Sequence, residues 1–314
     1  MKPLFTCSNV SARKLRSANS CELHPFLSSG ITIFQSVDSI QRSGLIYLPL
    51  VRKDTKGSYE IITGKRCIDI FHESFPLENI LCRVLEEEIS DMQMLALLYE
   101  EHTMRGELTI IEQAHFVQIC MTRLSEPEQQ LQLFTQLGLS STPYGLKRLI
   151  ALLDLEQGLQ AALWEGRLNE NMARELLRLN REDRQSFYDL VVNLGIGGGK
   201  QKRLLALLKD LAGRNGLSFQ AYLDQEAISA ILDHQEMNTP QKGQVLLQLL
   251  QQLHSPALTE AEEGFLKWKR QLYLPPNCSV EHSPSFEQDE VSLTVRFADH
   301  RELESFLAKF REDL

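Results

Sequence analysis

SYEIITGKRCIDIFHE, residues 58–73, decides how the front of this chain is read. SYEIIT is aromatic and β-branched, as strands are. Gly64 interrupts it, and Cys67, Ile68 and Phe71 then recur at helical spacing. The stretch predicts a strand running into a helix with one glycine at the joint. Lys65 and Arg66 open that helix. A helix N-terminus is already electropositive, so two cations there are unfavourable unless an anion joins them. A phosphate held by the free backbone N–H groups would be such an anion. The plainer alternative is a pair of solvated basic residues after a turn.

Upstream, VDSIQRSG (37–44) reads as a short helix, with Gly44 suited to a left-handed cap. LIYLPLVRK (45–53) reads as a strand, DTKG as a turn and SYEIIT as the returning strand. Together they make a small α/β unit with a hairpin. Residues 1–30 show no period and read as a partly mobile arm.

From about 78 to 255 the pattern is almost wholly helical. DMQMLALLYEEHTMRGE ends near Gly106, and TIIEQAHFVQICMTRL follows as a second helix. EPEQQLQLFTQLGL and TPYGLKRLIALLDL form a pair joined by a tight turn. LQAALWEGRLNENMARELLRL reads as two further short helices. GIGGGK (195–200) lacks the phosphate-loop spacing, because Leu194 and Gln201 stand where Gly and Ser/Thr are needed. It reads as an interdomain hinge. After Pro275 and Pro276 come two strand-like runs, CSVEHS and EVSLTVRF, and a helix with Leu303, Phe306, Leu307 and Phe310 on one face. Two strands and one helix are too few to bury a sound core alone, so this tail should pair with a copy of itself.

The 314 residues are 43% hydrophobic, and none of the apolar runs reaches the roughly 18–20 residues that span a membrane. The N-terminus lacks an apolar signal core, so a cytoplasmic protein is expected, associated with the nucleoid where DNA is bound. Six scattered cysteines form no C-x-x-C pair, and the eight histidines show no ligand spacing, so no structural metal is expected. Net charge is −9, which opposes long-range attraction to nucleic acid. The acid lies mainly at the far end. Residues 115–180 hold six basic and seven acidic residues, whereas 255–314 hold seven and twelve.

Two further stretches carry chemistry. LQLFTQLGLSSTPYGLKRLIALL (131–153) suggests helix-turn-helix, in which the second helix enters the major groove. Its exposed candidates are Ser140, Ser141, Thr142, Tyr144, Lys147 and Arg148. An ordinary αα-hairpin fits the same pattern. Glu101 and Arg105 lie four apart on one helix face, either as an exposed ion pair or as a metal carboxylate with a phosphate-binding arginine. Neither a Ser/His/Asp nor a Cys/His signature points to nucleophilic catalysis. Cys67 beside Arg66 reads as a packed small side chain.

The order of these pieces resembles the ParB/RepB-type partition protein family. Helix, strand and hairpin lead to YEIITGKRC, similar to the family's Y-E-L-I-A-G-E-R-R. EHTMRGELTIIEQA is similar to its E-N-x-x-R, polar link and I-E-E-A. The helical pair, the stretch after it and the terminal strand-strand-helix follow in the family's order. The resemblance implies an α+β, predominantly α fold. Its parts would be an N-terminal arm (1–30), a sulfiredoxin-like nucleotide-binding α/β domain (31–114) and a helix-turn-helix domain (115–195). A helical linker (196–274) and a ββα dimerisation domain (275–314) would complete it.

It also implies CTP with Mg²⁺ at the front domain. Carried over residue by residue, Gly64 and Arg66 match the glycine and first arginine of the motif that touches the triphosphate. Lys65 replaces its Glu, and Cys67 its second Arg. Glu101 matches the acidic metal contact and Arg105 the closing arginine, while His102 stands where an Asn would assist the metal. Histidine suits hard Mg²⁺ less well than oxygen does. Hydrolysis of the nucleotide is left open by these changes. The resemblance implies a homodimer joined at the tail, DNA as the principal partner through a palindromic centromere-like site, and nucleotide-driven closure of a clamp. It also implies a ParA-type ATPase partner at a basic arm such as SARKLRS (11–17), and no membrane. The family's often basic C-terminal domain is acidic here. A nucleotide-binding regulatory protein with weak or lost DNA reading is the alternative.

Overall fold

The computed structural model describes residues 4–16, 21, 23, 35–75, 79–104, 106–139, 142–283, 286 and 290–312. The architecture is α+β and predominantly helical. The chain forms two compact units, Met1–Asn180 and Arg181–Leu314.

The first unit opens with β1 (Phe5–Ser11), a single 3-10 turn and β2 (Leu15–Arg16). Helix α1 (Val37–Ser43) follows, capped by the Ser36 side chain and ended by Gly44 at φ +67°. Then come β3 (Leu50–Lys53), β4 (Tyr59–Thr63), α2 (Lys65–Ser74) and β5 (Asn79–Leu85). The five strands form one mixed sheet in the order β1-β5-β3-β4-β2. In the hairpin, one Asp54 carboxylate oxygen accepts from the N–H groups of Lys56 and Ser58, both at 2.8 Å, which sets the turn. Val51, Ile61, Ile80 and Cys82 from the sheet meet Ile40, Ile68 and Phe71 from α1 and α2 in one buried cluster. α2 therefore covers the sheet with the apolar stripe that its spacing predicts, and α1 contributes Ile40, while Val37 three residues before it is exposed.

Residues 5–16, expected as part of a partly mobile arm with no clear period, are strand and turn. β1 pairs antiparallel with β5 over seven residues, and β2 pairs parallel with β4. β1 is an edge strand whose first five residues are exposed, so its pairing rests on backbone hydrogen bonds and leaves no side-chain period to read. In the basic SARKLRS stretch, Ser11 ends β1, Ala12–Lys14 form the 3-10 turn and Leu15–Arg16 form β2, while position 17 lies outside the described residues. The expected strand over 45–53 is also shorter: it begins at Leu50, directly after Pro49, which has no N–H for the ladder.

The remaining helices of this unit are α3 (Asp91–Thr103), α4 (Ile110–Arg123), α5 (Pro127–Gln136), α6 (Pro143–Ile150), α7 (Gln157–Trp164) and α8 (Glu170–Leu176). Ser90 and Gln93 close a capping box on α3, and Thr109 and Glu112 close one on α4. Phe116 and Val117 of α4 are fully buried, as are Met94, Leu95 and Leu98 of α3. The expected boundary at 114–115 falls inside α4, a continuous helix whose two halves are both packed.

The second unit begins with α9 (Arg181–Leu194) and α10 (Gly198–Asn215). α11 (Phe219–Leu223), α12 (Glu226–Leu232), α13 (Thr239–His254) and α14 (Pro256–Gln271) follow. The glycine cluster expected to be an interdomain hinge is a tight corner inside this unit. Gly195 turns at φ +58°, Ile196 N donates back to Val191 O at 3.1 Å, and Gly197 caps α10. Ile196 is buried, and its Cγ1 lies 3.6 Å from the point where a Cβ on Gly243 would stand. A hinge needs slack, and this corner is filled. The tail is β6 (Cys278–His282) paired antiparallel with β7 (Val291–Val295), then α15 (His300–Glu312).

Candidate functional site

The strand-glycine-helix joint of the front unit is built as its sequence suggests. Gly64 is the N-cap of α2 in the left-handed region, at φ +81° and ψ 18°. A Cβ there would also stand 3.0 Å from Cα of Pro49, so both backbone conformation and close approach call for glycine. The first helical bond runs from Ile68 N to Gly64 O, so the N–H groups of Lys65, Arg66 and Cys67 precede the intrahelical ladder. The first turn holds no acidic residue. Lys65 is half-buried and Arg66 exposed, while Cys67 is buried against the core.

Pro49 connects this joint to the second motif. Its carbonyl accepts from Arg83 N at 2.8 Å, and the Leu48 carbonyl accepts from Arg83 Nε at 2.9 Å. The Arg83 guanidinium donates to the Tyr47 hydroxyl at 3.2 Å and lies over the Tyr47 and Phe5 rings, 5.0 and 5.6 Å from their centroids. It also pairs with the Glu101 carboxylate at 2.9 Å. Those side chains are only 19% and 12% exposed, so the pair is largely withdrawn from solvent. Gly64, Pro49, Arg83 and Glu101 thus form a chain of direct contacts across β5, α2 and α3. Arg105 lies outside the described residues, and His102 is half-buried near the C-terminal end of α3.

These donors do not fit the expected Mg²⁺. Glu101 already has an arginine on its carboxylate, and the residue beside it is an imidazole rather than an oxygen donor. Among the described residues, no three His, Cys, Asp or Glu side chains are grouped to hold a metal ion.

Sequence reasoning missed Arg83 and Tyr47. Arg83 lies in NILCRVL, at the start of the stretch expected to be helical from about 78; the structure makes it strand β5, with Cys82 and Leu85 buried in the sheet core. A single arginine inside such a run is the only signal it offers.

A second polar system joins the hairpin to α3 and α4. Arg123 donates to both oxygens of Glu60, and Arg52 bridges Glu60 at 3.6 Å and Asp91 at 2.5 Å. The hydrogen bond to Glu60 raises the Arg123 pKa further above its usual value. The groove beside this hairpin, lined by Arg52, Lys53, Asp54, Glu60 and Glu87, is likewise occupied by paired charges.

The α5–α6 pair carries the third candidate. Leu133 and Phe134 bury α5, Gly138 turns at φ +69°, and Leu139 N donates to Phe134 O at 2.9 Å in a helix-ending turn. Thr142 caps α6 by accepting from Gly145 N at 3.1 Å. Leu149 is buried, while Tyr144 is 71% exposed and Lys147 and Arg148 are exposed beside it. The Arg148 guanidinium lies over the Tyr144 ring at 5.5 Å. Ser140 and Ser141 lie outside the described residues. Arg174 of α8, which sequence reasoning did not single out, donates to the Arg148 carbonyl at 2.9 Å and so pins the end of α6.

No protein-family profile matches the chain. A curated nucleoid occlusion protein of Oceanobacillus iheyensis is 29% identical over 173 residues, which cover 52% of this chain and 57% of that protein. The chain therefore matches little more than half the length of this relative. Two crystal structures are of the C-terminally truncated chromosome-partitioning protein ParB of Caulobacter crescentus. The one complexed with CTP-γ-S is 21% identical, with a TM-score of 0.24, over 56% of this chain and 94% of that one. The one complexed to the centromeric parS site is 19% identical, with a TM-score of 0.28, over 63% and 96%.

Proposed function

We propose that this protein is a ParB-like DNA-binding partition protein, dimeric and responsive to a nucleotide at its front domain. The observation that carries DNA binding is the outward face of α6. Tyr144, Lys147 and Arg148 stand exposed on it, behind a tight turn, while Leu149 anchors the helix beneath. In a helix-turn-helix, residues so placed meet base edges and phosphates, and arginine and lysine pair with guanine O6 and N7. The nucleotide part of the reading rests on the acid-free N-terminus of α2, with Lys65 and Arg66 in its first turn.

Dimerisation rests on the tail. Val291, Leu293, Leu303, Phe306 and Leu307 are all at least 39% exposed, and Val280 is the one buried hydrophobic side chain among the described residues after 275. A ββα unit with its apolar side chains in water is completed by a second copy of itself. Two protomers joined there and bound at a palindrome would form the clamp.

The test is selection of DNA sites from random sequence at several stated salt concentrations. Enrichment of a palindrome is expected, and Lys147→Ala should reduce the salt slope by about one if that lysine meets a phosphate. No enrichment would overturn DNA reading and leave the second reading, a nucleotide-binding regulatory protein, which the net charge of −9 favours. Removing 275–314 should yield monomers by light scattering; a truncated chain that stays dimeric refutes the role given to the tail.

A further inference from the structure

We propose that α14 is a second contact between two copies of this chain, lying antiparallel against the partner's α14 across a two-fold axis near Gly264. This rests on the dimer reading above: the tail brings the copies together, and one helix crossing is too small a contact to do so alone.

α14 runs for 16 residues with none of them buried, and its N-cap, Ser255, supplies no side-chain capping bond. A helix of that length is marginal in water unless a face of it is packed. Two of its faces have neighbours within the unit. The Phe265 ring lies 4.8 Å from the His282 ring and 6.0 Å from that of Phe286, which fastens α14 to the tail. Thr259, Glu262, Glu263 and Leu266 line a groove beside α10 and α13, where Lys200 and Arg203 also stand. The remaining face carries Ala257, Glu260, Gly264, Lys267 and Gln271, all exposed, with Trp268 on its flank 42% exposed. Their alternating spacing of three and four residues is that of a helix–helix seam. The seam is small and charged rather than apolar, which suits a contact made only inside an assembled dimer. A Cβ on Gly264 would meet nothing within 4 Å, so a second helix has room to approach there.

The charges choose the occupant. Glu260, Glu262 and Glu263 precede Gly264, and Lys267, Lys269 and Arg270 follow it. They sum to zero, so the helix as a whole selects neither nucleic acid nor a partner of one sign. The macrodipole accounts for bases in the last turn but not for the acids, none of which is in the first turn. Glu260 and Lys267 make no ion pair among the described residues. Seven residues apart, about 10 Å along the axis, they cannot reach each other within one helix. An antiparallel copy sets Glu260 opposite the partner's Lys267, and by symmetry Lys267 opposite the partner's Glu260. Gly264 then sits at the crossing. A parallel copy would set like charge against like at both positions.

The test is thiol cross-linking of the full chain with a short bismaleimide, with Cys7→Ser and Cys278→Ser in place and Gly264→Cys added. The control carries Ala257→Cys instead, on the same face two turns earlier. Prompt cross-linking from position 264 and little from 257 is expected, because the antiparallel arrangement separates the two copies of 257 by about 20 Å along the axis. Equal cross-linking from both positions overturns the antiparallel pair. Cross-linking from neither, in a chain that light scattering shows to be dimeric, overturns this contact and leaves the dimer reading intact. A monomeric full chain overturns both. The charges are tested in the Gly264→Cys chain, at exposed positions where substitution leaves the fold undisturbed. Glu260→Lys and Lys267→Glu should each slow cross-linking about fivefold or more, since each sets like charges opposite at two places. Mixing the two variants and letting them exchange subunits should restore the parent rate. Unchanged rates in the single variants, or no recovery on mixing, refute the pairing of Glu260 with the partner's Lys267.

Discussion

Gly64→Ala is the perturbation that tests the front joint most directly. Two costs are built into the position. The backbone sits at φ +81°, where an L-residue pays about 1–2 kcal/mol. The new Cβ would also stand 3.0 Å from the Pro49 Cα and 3.1 Å from its Cβ, neither of which is the flexible end of a side chain. Relieving such a contact moves backbone, and overpacking of this kind costs about 1–3 kcal/mol. Alanine also narrows the unfolded ensemble, which returns about 0.4–1 kcal/mol. The control is Gly138→Ala, at φ +69° with no atom within 4 Å of its Cβ position and within the same unit. It carries the first and third contributions but not the second. The expected net loss is therefore about 1–4.5 kcal/mol for Gly64→Ala and about 0–1.5 kcal/mol for Gly138→Ala, a difference of about 1–3 kcal/mol that comes from the Pro49 contact. Urea unfolding of both full-length variants, followed by hydrogen exchange across residues 1–180, measures the difference. If the two losses agree within about 0.5 kcal/mol, Pro49 does not press on Gly64 and the contact chain from α2 to Glu101 is refuted.

Three other outcomes follow from the packing. The Trp164 indole N–H donates to the buried Glu112 carboxylate at 3.0 Å, so Trp164→Phe should cost about 1.5–3 kcal/mol, read as faster exchange at the start of α4; parent-like exchange refutes the bond's importance. Asp210 is held below the ordinary carboxylate range, first by its hydrogen bond to His254 and then by Arg214. A depressed folded pKa stabilises above the unfolded value and ceases to do so as pH falls through the folded one. Acid should therefore narrow the gap in unfolding midpoint between the parent and Asp210→Asn, and a gap that is constant with pH contradicts this. Burial pushes the thiol of Cys21 up to about 11 and that of Cys82 up to about 12, whereas Cys7 is exposed on β1. An aromatic disulfide reagent at mildly alkaline pH should label Cys7 promptly and spare Cys21, Cys67, Cys82 and Cys120; labelling of Cys82 at the rate of Cys7 would show that β5 opens.

What lies within one or two turns of chain was legible from residue order. Gly64 at the joint before α2 and Gly44 after α1 are local choices, made by backbone conformation and hydrogen bonds that span a few residues. The helical periods from α3 to α8 and the ββα tail were readable for the same reason, since an apolar stripe records its own element. β1 was not, because an edge strand is held by backbone pairing with β5 some seventy residues on, and exposed side chains carry no trace of it. Nor was the place of GIGGGK, whose glycines spell slack until Ile196 is seen against Gly243. Glu101 could be picked out from its motif, but its partner could not. Arg83 reaches it across the sheet from β5, and the coulombic cancellation of that carboxylate exists only once two distant segments of chain have been folded against Pro49.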